Sequence, residues 1–450
     1  MDAFNENSNE QQAQQPMGCL HRFSKTIKVV IIGLLILLLM IPMFMIENLI
    51  SERGRTQEEA IDEVSEKWSL AQTITGPYLN LQYPVVTENN GEKKVSIKDL
   101  ILFPDELTIN GQLKTEILKR SIYEVNVYQS ELTLKGSFSS EELKKSRIDM
   151  EQLQFDRAAI CLNLTDMRGI SEQISITLGD SVYIFEPGMD NRGIANTGVH
   201  AIANLSELKQ NKKLPYEIKI KLKGSQSLNF IPLGKTTRVD LKANWNTPSF
   251  TGNYLPNNRN ITEKEFSAQW QVLNLNRNYS QVMVDYNTSN IKDIENSSFG
   301  VNFKIPVEQY QQSMRSAKYA ILIILLTFGV IFFTEIMNKT RIHALQYLLV
   351  GLALCLFYSL LLSFSEHIGF NPAYLLSSAL TIILVGGYMF GITKKKKPSL
   401  IMSGLLGILY LYIFVLIQLE TFALLAGSLG LLIILAMVMY FSKKIDWFNE

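Results

Sequence analysis

Long apolar runs separated by short polar breaks fill the last third of the chain, from Tyr319 to Phe441. The clearest runs are YAILIILLTFGVIFF and YLLVGLALCLFYSLLLSF, and two later ones are divided by Lys394–Lys397. A bilayer core needs about 20 mostly apolar residues per helix. Together with a run near the N-terminus, the pattern predicts six membrane spans. We place them at residues 29–46, 319–337, 346–364, 373–392, 399–418 and 421–441.

The first apolar run, Val29–Ile46, has the features of an uncleaved signal anchor. Arg22, Lys25 and Lys28 precede it, and the bulky and then charged MFMIENLISERG follows it without a small-x-small cleavage site. A cleaved signal peptide is the alternative, but its apolar region is usually shorter. Residues 1–28 form a tail whose first part is rich in Asn, Gln and Glu, and we expect this tail to be disordered and cytoplasmic.

The segment 47–318 is polar, and its pattern predicts a β-rich (α+β) domain. It begins with an amphipathic helix, in which Ile61, Val64 and Trp68 recur at helical spacing. Strict alternation in Tyr216–Lys223 and Arg238–Trp245 then predicts strands with one buried face. Further strands are predicted at Ile122–Tyr128, Glu131–Lys135, Ala158–Leu164, Ile174–Leu178, Val182–Phe185, Phe266–Leu273 and Phe299–Ile305.

Short strands punctuated by Gly, Asn, Asp and Pro turns favour an antiparallel sandwich or an open barrel. Short helices are expected at Ser139–Lys145 and Leu205–Lys212. The pairs Ser139 with Glu142 and Thr262 with Glu265 fit the spacing of a capping box. The segment Val307–Lys318 has no helix breaker, so we expect it to continue as one helix into the second span.

Lysines and arginines in the short loops predict the orientation in the membrane. The loop Lys394–Lys397 is the strongest cytoplasmic marker. Six spans then place both termini in the cytoplasm, including the tail 442–450, and the domain 47–318 in the periplasm of a bacterium. The loops SEHIGFNPA and QLET on the opposite side contain no Lys or Arg.

Charge and cysteine content narrow the possible partners. The chain of 450 residues has a formal net charge of +1, which gives no electrostatic reason to expect nucleic acid binding. We expect the lipid bilayer as one partner, with an envelope component or another periplasmic or inner-membrane protein as a second. Of the three cysteines, Cys19, Cys161 and Cys355, only Cys161 would face an oxidising compartment, so no disulfide is expected within the domain.

No residue type and spacing in the sequence indicates an enzyme. The zincin, nucleophile-elbow, P-loop and dinucleotide-binding motifs do not occur. His200 is the single histidine of segment 47–318, and we interpret it as structural. The pairs Glu58/Glu59 and Glu141/Glu142 fit solvated helix faces, and Asp166–Gly169 (DMRG) fits a turn with a local ion pair. We therefore predict no catalytic, cofactor-binding or metal-binding residue.

Charged groups are nearly absent from the predicted spans, which disfavours a proton-coupled pump. The ionisable residues there lie at span ends, where they are expected to reach the interface: Glu335, Glu366, His367 and Glu420. Small residues predict close helix packing, and these are Gly387, Gly391, Gly404, Gly407, Gly427 and Gly430.

Two long segments, Pro306–Glu335 and Arg341–Phe370, closely resemble the CreD family of bacterial inner-membrane proteins. NWNTPSFTGNYLP (Asn244–Pro256), FSAQW (Phe266–Trp270), DMRGI (Asp166–Ile170) and KIDWF near the C-terminus support the resemblance. It covers essentially the whole chain after the N-terminal tail. The resemblance implies an inner-membrane protein of cell envelope integrity, under a two-component regulatory system that responds to envelope stress. It brings no active site to any residue here.

The leading hypothesis is a non-enzymatic envelope protein, with a β-rich domain held between the first and second spans. A transporter or channel through the helix bundle is the first alternative, and an envelope-modifying enzyme that uses weakly marked carboxylates is the second. The sequence does not specify the oligomeric state, the ligand of the domain or the inducing signal.

Overall fold

A computed structural model describes residues 24–89, 92–146, 148–189, 194–210, 212–284, 288–303, 305, 308–338, 341–419 and 422–443. Cys19, Glu420 and the KIDWF segment lie outside these residues, as does most of the tail 1–28. The chain forms two compact units. The helical unit comprises Met1–Thr56 and Val307–Glu450, and the β domain comprises Gln57–Pro306.

The helical unit is built from long apolar helices. The first helix, α1, covers Ser24–Trp68, and its last turns belong to the β domain. The others are α4 (Glu308–Lys318), α5 (Ala320–Asn338), α6 (Ala344–Ile368), α7 (Phe370–Thr393), α8 (Lys396–Gln418) and α9 (Ala423–Ser442). Among the described residues, five helices, α1 and α5 to α8, are long and apolar enough to cross a membrane. The apolar described part of α9 is shorter, Leu424–Met437.

Two helix expectations are corrected by the structure. The amphipathic helix around Trp68 is the continuation of α1, because the connecting residues are mostly good helix formers. The helix expected to run unbroken from Val307 into the second span is divided at Tyr319. There the backbone tightens, and Tyr319 N donates to Ser316 O at 3.0 Å. This i to i−3 bond ends α4, and the single residue Tyr319 separates α4 from α5.

Three glycines, of which only Gly430 was among those predicted, make the tight helix contacts. A Cβ on Gly351 would lie 2.1 Å from Leu39 Cδ1, so α1 packs closely against α6. Cβ atoms on Gly386 and Gly430 would lie 2.2 Å from Ser403 Oγ and 1.8 Å from Tyr412 Oη, respectively. The other predicted packing glycines have no described atom within 4 Å of such a Cβ, namely Gly387, Gly391, Gly404, Gly407 and Gly427.

The β domain contains two large sheets and two short helices among its described residues. The helices are α2 (Glu141–Lys145) and α3 (Thr288–Asn296). The first strands are β1 (Gln72–Asn89), β2 (Glu92–Leu102), β3 (Glu106–Arg120), β4 (Tyr123–Phe138), β5 (Ala158–Leu164), β6 (Ser175–Leu178), β7 (Ser181–Ile184), β8 (Glu186–Pro187) and β9 (Gly198–Ala203). The remaining strands are β10 (Leu214–Ser225), β11 (Ser227–Phe230), β12 (Thr236–Ala243), β13 (Ser249–Gly252), β14 (Asn258–Ile261), β15 (Phe266–Leu273), β16 (Val282–Val284) and β17 (Phe299–Asn302).

Strand pairing is mostly antiparallel, as the alternating pattern suggested. The first sheet has the order β13-β17-β11-β1-β5-β9-β8, with β2 on β1 and β16 on β2. The second sheet has the order β14-β15-β12-β3-β4-β10-β6-β7. Two pairs, β1 with β11 and β3 with β12, are parallel and were not predicted.

The two sheets share one hydrophobic core. Leu79 and Ile160 of the first sheet belong to the same buried cluster as Leu134 and Ile218 of the second. Successive residues of a strand point to opposite faces, and Tyr78 accordingly lies in a second buried cluster that includes Ile294 of α3. The first sheet is therefore covered on both faces, which explains why every residue of β5 is buried.

Each predicted strand coincides with an observed one, although Ile122–Tyr128 and Glu131–Lys135 are two parts of the single strand β4. The strands that were not predicted are β1, β2, β3, β8, β9, β11, β13, β14 and β16. Neither predicted capping box forms. The cap of α2 is Ser140, whose side chain makes no capping hydrogen bond. Thr262 Oγ1 does accept from Glu265 N at 3.1 Å, but it closes a turn before β15 and no helix starts there. The helix expected at Leu205–Lys212 is a short 3-10 segment, Ser206–Gln210.

Candidate functional site

The DMRG segment holds the end of α1 within the β domain. Asp166 Oδ2 accepts hydrogen bonds from Leu70 N at 2.9 Å and from Ser69 Oγ at 3.3 Å. Arg168 Nη1 donates to Glu66 O at 2.6 Å. Carbonyl groups in the last turn of a helix lack partners within the helix. A cation at this end also interacts favourably with the helix dipole. Arg168 therefore caps α1, while Asp166 binds the chain as it leaves the helix.

The Asp166 carboxylate is stabilised in its charged form. Burial by itself would raise the pKa of Asp166, but hydrogen bonds from the Arg168 side chain and from Leu70 N and Arg168 N together lower that pKa. Arg168 Nε lies 3.0 Å from Asp166 Oδ1. The predicted turn with a local ion pair is thus present. The sequence did not reveal that this turn contacts α1.

Close packing around Gly169 completes this anchor. Gln72 Nε2 donates to Asp166 O at 2.8 Å, and Asp166 N donates back to Gln72 Oε1 at 3.2 Å. A Cβ on Gly169 would lie 2.4 Å from Lys223 O and 2.8 Å from Ser69 Oγ. Only glycine fits between these atoms, so Gly169 lets the DMRG turn lie against β10 and the residues that follow α1.

His200 and Cys161 are paired across β9 and β5. His200 is buried, with Nδ1 2.7 Å from Gly188 O, and Cys161 is a buried thiol in the cluster around Tyr78. In the described part of the chain, no group of three or more His, Cys, Asp or Glu side chains could hold a metal ion. One ring nitrogen of His200 is thus held by a backbone carbonyl, and the structural interpretation of this residue stays a prediction.

Sequence analysis predicted no site, but the β domain contains a polar cavity of about 280 Å³. The side chain of Asn163 is fixed at its wall, accepting from Tyr78 Oη at 2.6 Å and donating to Thr197 O at 2.8 Å. Thr165 Oγ1 accepts from Thr73 N at 3.0 Å. The described lining residues are Thr73, Thr75, Asn163, Leu164, Thr165, Ile194, Ala195, Thr197, Ile231, Glu295 and Ser298. Hydroxyls, an amide and one carboxylate suit a ligand with several hydrogen-bonding groups.

Arg277 is a mostly buried cation that the sequence did not reveal. Its guanidinium lies 4.4 Å from the centroid of the Tyr279 ring, and Nη2 donates to Leu233 O at 3.1 Å. Burial lowers the pKa of Arg277, and interactions with Tyr279 and Tyr254 oppose this effect. No described carboxylate forms a salt bridge with it. The sequence did not mark Arg277, because its burial depends on Leu233 and Phe103, which lie far from it along the chain.

Within the helical unit, Lys28 of α1 and Glu335 of α5 form an ion pair, and Tyr347 of α6 is hydrogen-bonded to Glu335. We call this group the inner cluster. Lys28 Nζ donates to Glu335 Oε1 and, at 3.0 Å, to Ile342 O. Glu335 also accepts from Tyr347 Oη at 3.1 Å and from Ile342 N at 3.2 Å. Glu335 was expected to reach the membrane interface, but it is turned inward because three donors surround it.

A second carboxylate, Glu366 near the end of α6, forms what we call the outer cluster. Glu366 Oε1 accepts from Tyr310 Oη of α4 at 2.9 Å and lies 3.9 Å from Arg53 Nε of α1. His367, by contrast, is exposed, as a boundary residue should be. The two clusters lie at opposite ends of α6. Each contains a carboxylate that the sequence analysis placed at the end of a span, Glu335 or Glu366.

Between these ends, α6, α7 and α8 contribute buried hydroxyl groups. Phe357 lies between the rings of Tyr358, Tyr374 and Tyr410, at centroid distances of 4.8, 5.4 and 4.5 Å. Tyr374 Oη donates to Tyr410 O at 2.9 Å. In the described part of the unit, the hydroxyls of Thr327, Tyr358, Ser377 and Tyr410 have no hydrogen-bond partner of ordinary geometry. Such groups are uncommon in native structures, so this hydroxyl core is a second candidate site.

Comparison with known proteins shows the family of the chain. The family described as inner membrane protein CreD matches residues 24–448. The inner membrane protein CreD of Escherichia coli (strain K12) is 31% identical over 420 residues, which cover 92% of this chain and 91% of that protein. The chain belongs to the CreD family.

Membership of the CreD family establishes a multi-pass protein of the inner membrane. The match includes α1, the whole β domain and the helices that follow. It therefore contains the DMRG anchor, the polar cavity and both ionic clusters. The resemblance found in the sequence is confirmed, and so is the class of fold, a helical membrane protein with a large β-rich domain after its first helix.

Proposed function

We propose that this chain supports the integrity of the cell envelope without catalysing a reaction, by presenting the β domain to an envelope component on the periplasmic side. The observation that carries this proposal is the insertion of a two-sheet domain between α1 and α4. The chain enters the domain from a membrane helix that the DMRG anchor holds, and it leaves into another helix.

The proposed orientation rests on the distribution of lysines. Lys394–Lys397 connect α7 and α8, and short loops rich in Lys face the cytoplasm. Reporter fusions after Ala71 and Gly369 should then report the periplasm, and one after Lys395 should report the cytoplasm. The reverse pattern would exclude the orientation.

The polar cavity is the proposed contact with the envelope component. Thr165 and Glu295 are exposed at its edge, so a photoreactive residue at either position can reach a bound partner. We expect crosslinks to one envelope component in living cells, stronger under envelope stress if the two-component control implied by the family resemblance applies.

The matched control is Lys264, which is exposed in the turn before β15 and does not line the cavity. Products from Thr165 and Glu295 but not from Lys264 would support the proposal. The same products from all three positions, or none from any, would argue against a specific contact at the cavity.

Transport of a small polar solute through the helices is a second candidate, and the hydroxyl core favours it. Buried ionisable and polar groups in membrane helices often mark a pathway, and Tyr358 presents a hydroxyl without a protein partner. Flux into proteoliposomes that falls with Tyr358→Phe would favour transport. Equal leakage from liposomes with and without the protein would exclude it.

An envelope-modifying enzyme is the remaining alternative. The purified protein would have to hydrolyse or transfer an envelope precursor, and one polar substitution would have to abolish the activity. That result would overturn the non-enzymatic proposal.

A further inference from the structure

An open cavity of about 510 Å³ lies where α7 ends and α8 begins. Its described lining consists of Phe390, Lys396, Lys397, Ser399, Leu400 and Ser403. The lining combines two cations, two hydroxyls and two large apolar side chains. This cavity belongs to neither ionic cluster, and the proposed function does not use it.

The walls of the cavity are fixed by contacts between the two helices. Lys394 turns the chain with a φ of +50°, and α8 starts two residues later. Ser399 Oγ donates to Gly386 O of α7 at 2.6 Å. A Cβ on Gly386 would lie 2.2 Å from Ser403 Oγ, so the helices touch closely beside the cavity. The lysines therefore extend from a short, well-packed connection.

The charge around the cavity is positive and unneutralised. All four side chains of Lys394–Lys397 are exposed, and in the described part of the chain none lies within salt-bridge distance of a carboxylate. The first N–H groups of α8 have no partner within the helix, and the helix dipole adds positive potential there. This surface suits an anionic ligand.

The apolar residues distinguish a lipid from a free anion. Leu400 is 76% exposed and Phe390 is 47% exposed, and both belong to helices long and apolar enough to cross the membrane. An acyl chain can lie against them while a phosphate reaches the lysines. Basic pockets between membrane helices on the cytoplasmic side commonly bind anionic head groups.

We propose that this cavity binds the phosphate of an anionic phospholipid through Lys396 and Lys397, with an acyl chain along Phe390 and Leu400. Each lysine near an anionic surface contributes a factor of about five in affinity. We therefore expect Lys396→Gln with Lys397→Gln to weaken binding of phosphatidylglycerol by about 10- to 30-fold.

The experiment uses the purified full chain and measures bound lipid by native mass spectrometry during titration. Phosphatidylglycerol should bind the unaltered chain about tenfold or more tightly than phosphatidylcholine. The double variant should lose this preference. The control is Lys264→Gln with Lys292→Gln, which removes the same charge from exposed positions of the β domain and should leave the preference unchanged.

A second variant tests the apolar half of the site with the lysines intact. Leu400→Ser should weaken phosphatidylglycerol binding while leaving the affinity for inorganic phosphate alone unchanged. Retention of the unaltered melting temperature shows that each variant is folded. Equal affinity in the double variant, no preference over phosphatidylcholine, or phosphate that competes as strongly as the lipid would each overturn the proposal.

Discussion

The two ends of α1 are held by contacts of the same type in different surroundings. In the β domain, Asp166 and Arg168 bind the last turn of the helix. In the helical unit, Lys28 near its start is paired with Glu335. The Arg168 side chain is 54% exposed and that of Asp166 is 7% exposed, whereas Lys28 and Glu335 are 28% and 11% exposed. Water therefore reaches one cation much more than the other.

This difference in solvent exposure decides which residue of each ion pair contributes more to stability. An exposed cation contributes little to an ion pair, about 0–1 kcal/mol, because water solvates it equally well. The backbone hydrogen bonds to Asp166 are then the important part of the DMRG anchor. In the inner cluster Glu335 is nearly buried and Lys28 is only partly exposed, so removing one charge leaves the other poorly solvated and without its opposite charge. The two pairs of an acidic and a basic residue should therefore respond differently to mutation.

The largest effect is expected in the inner cluster. Lys28→Met or Glu335→Gln alone should lower the free energy of unfolding by about 3 kcal/mol, because each leaves a largely buried charge without its opposite charge, although its other hydrogen bonds remain. Unfolding of the full chain in lipid nanodiscs measures this. The double variant should lose less than the sum of the two single losses. A purely additive double variant would mean that the two side chains do not interact.

In the β domain, the carboxylate should matter more than the cation. Asp166→Ala should cost about 3 kcal/mol, because hydrogen bonds to Ser69 and Leu70 at the end of α1 are lost together. Arg168→Ala should cost clearly less than Asp166→Ala, since the Arg168 side chain is more than half exposed and water solvates it. Asp156→Ala, an exposed acid in the same domain, is the control. Equal losses from Asp166→Ala and Arg168→Ala would reverse this interpretation.

The pH dependence tests the same carboxylate. The pKa of Asp166 is lower in the folded chain than in the unfolded chain, where it is about 3.9. The resulting stabilisation is present above that value and is lost as the pH falls towards the folded pKa. Acid unfolding monitored by circular dichroism should show this loss, and Asp166→Asn should reduce it. An unchanged acid profile in Asp166→Asn would assign the transition to other groups.

Helix packing should be sensitive at only some glycines. Gly351→Ala should destabilise the helical unit by about 1–3 kcal/mol, because the new methyl group overlaps Leu39. Gly387→Ala, where the added methyl meets no described atom, should be neutral or stabilise by up to about 1 kcal/mol. The melting temperatures of the two variants make the comparison. Similar shifts would indicate that Gly387 also packs against something in the membrane.

The smallest effect is expected in the hydroxyl core. Tyr374→Phe should cost about 1 kcal/mol, because its hydroxyl donates to Tyr410 O. Tyr358→Phe should change stability by less than about 0.5 kcal/mol or even increase it, since no protein partner is lost. A large loss from Tyr358→Phe would show that its hydroxyl is hydrogen-bonded in the membrane.

Local pattern was sufficient for much of the fold. Strict alternation identified β10 and β12, and apolar runs identified α5 to α8, because burial of one face leaves a period in the sequence. The strand β3, ELTINGQLKTEILKR, was missed although its residues alternate in burial, since charged residues occupy much of it. The parallel pairing of β3 with β12 could not be read locally.

The candidate sites were less predictable than the elements. The DMRG segment was recognised as a turn with an ion pair, but its partners Glu66 and Leu70 lie about a hundred residues earlier in the chain. The polar cavity combines residues from β1, β5 and the segment after α3. Side chains gathered from distant segments have no common spacing, so no motif could indicate them.

The sequence by itself determined the division into apolar helices and a β-rich domain, and it identified the CreD family. The division follows from hydrophobic patterns within short windows, and the family from the resemblance of the segments Pro306–Glu335 and Arg341–Phe370. Only the tertiary structure decided that Glu335 turns inward to Lys28, which lies 307 residues away. It also decided that Gly351, not Gly387, lies where two helices touch. The reason is physical: burial can be read from local periodicity, whereas the partner of a buried group is fixed by how distant segments pack together.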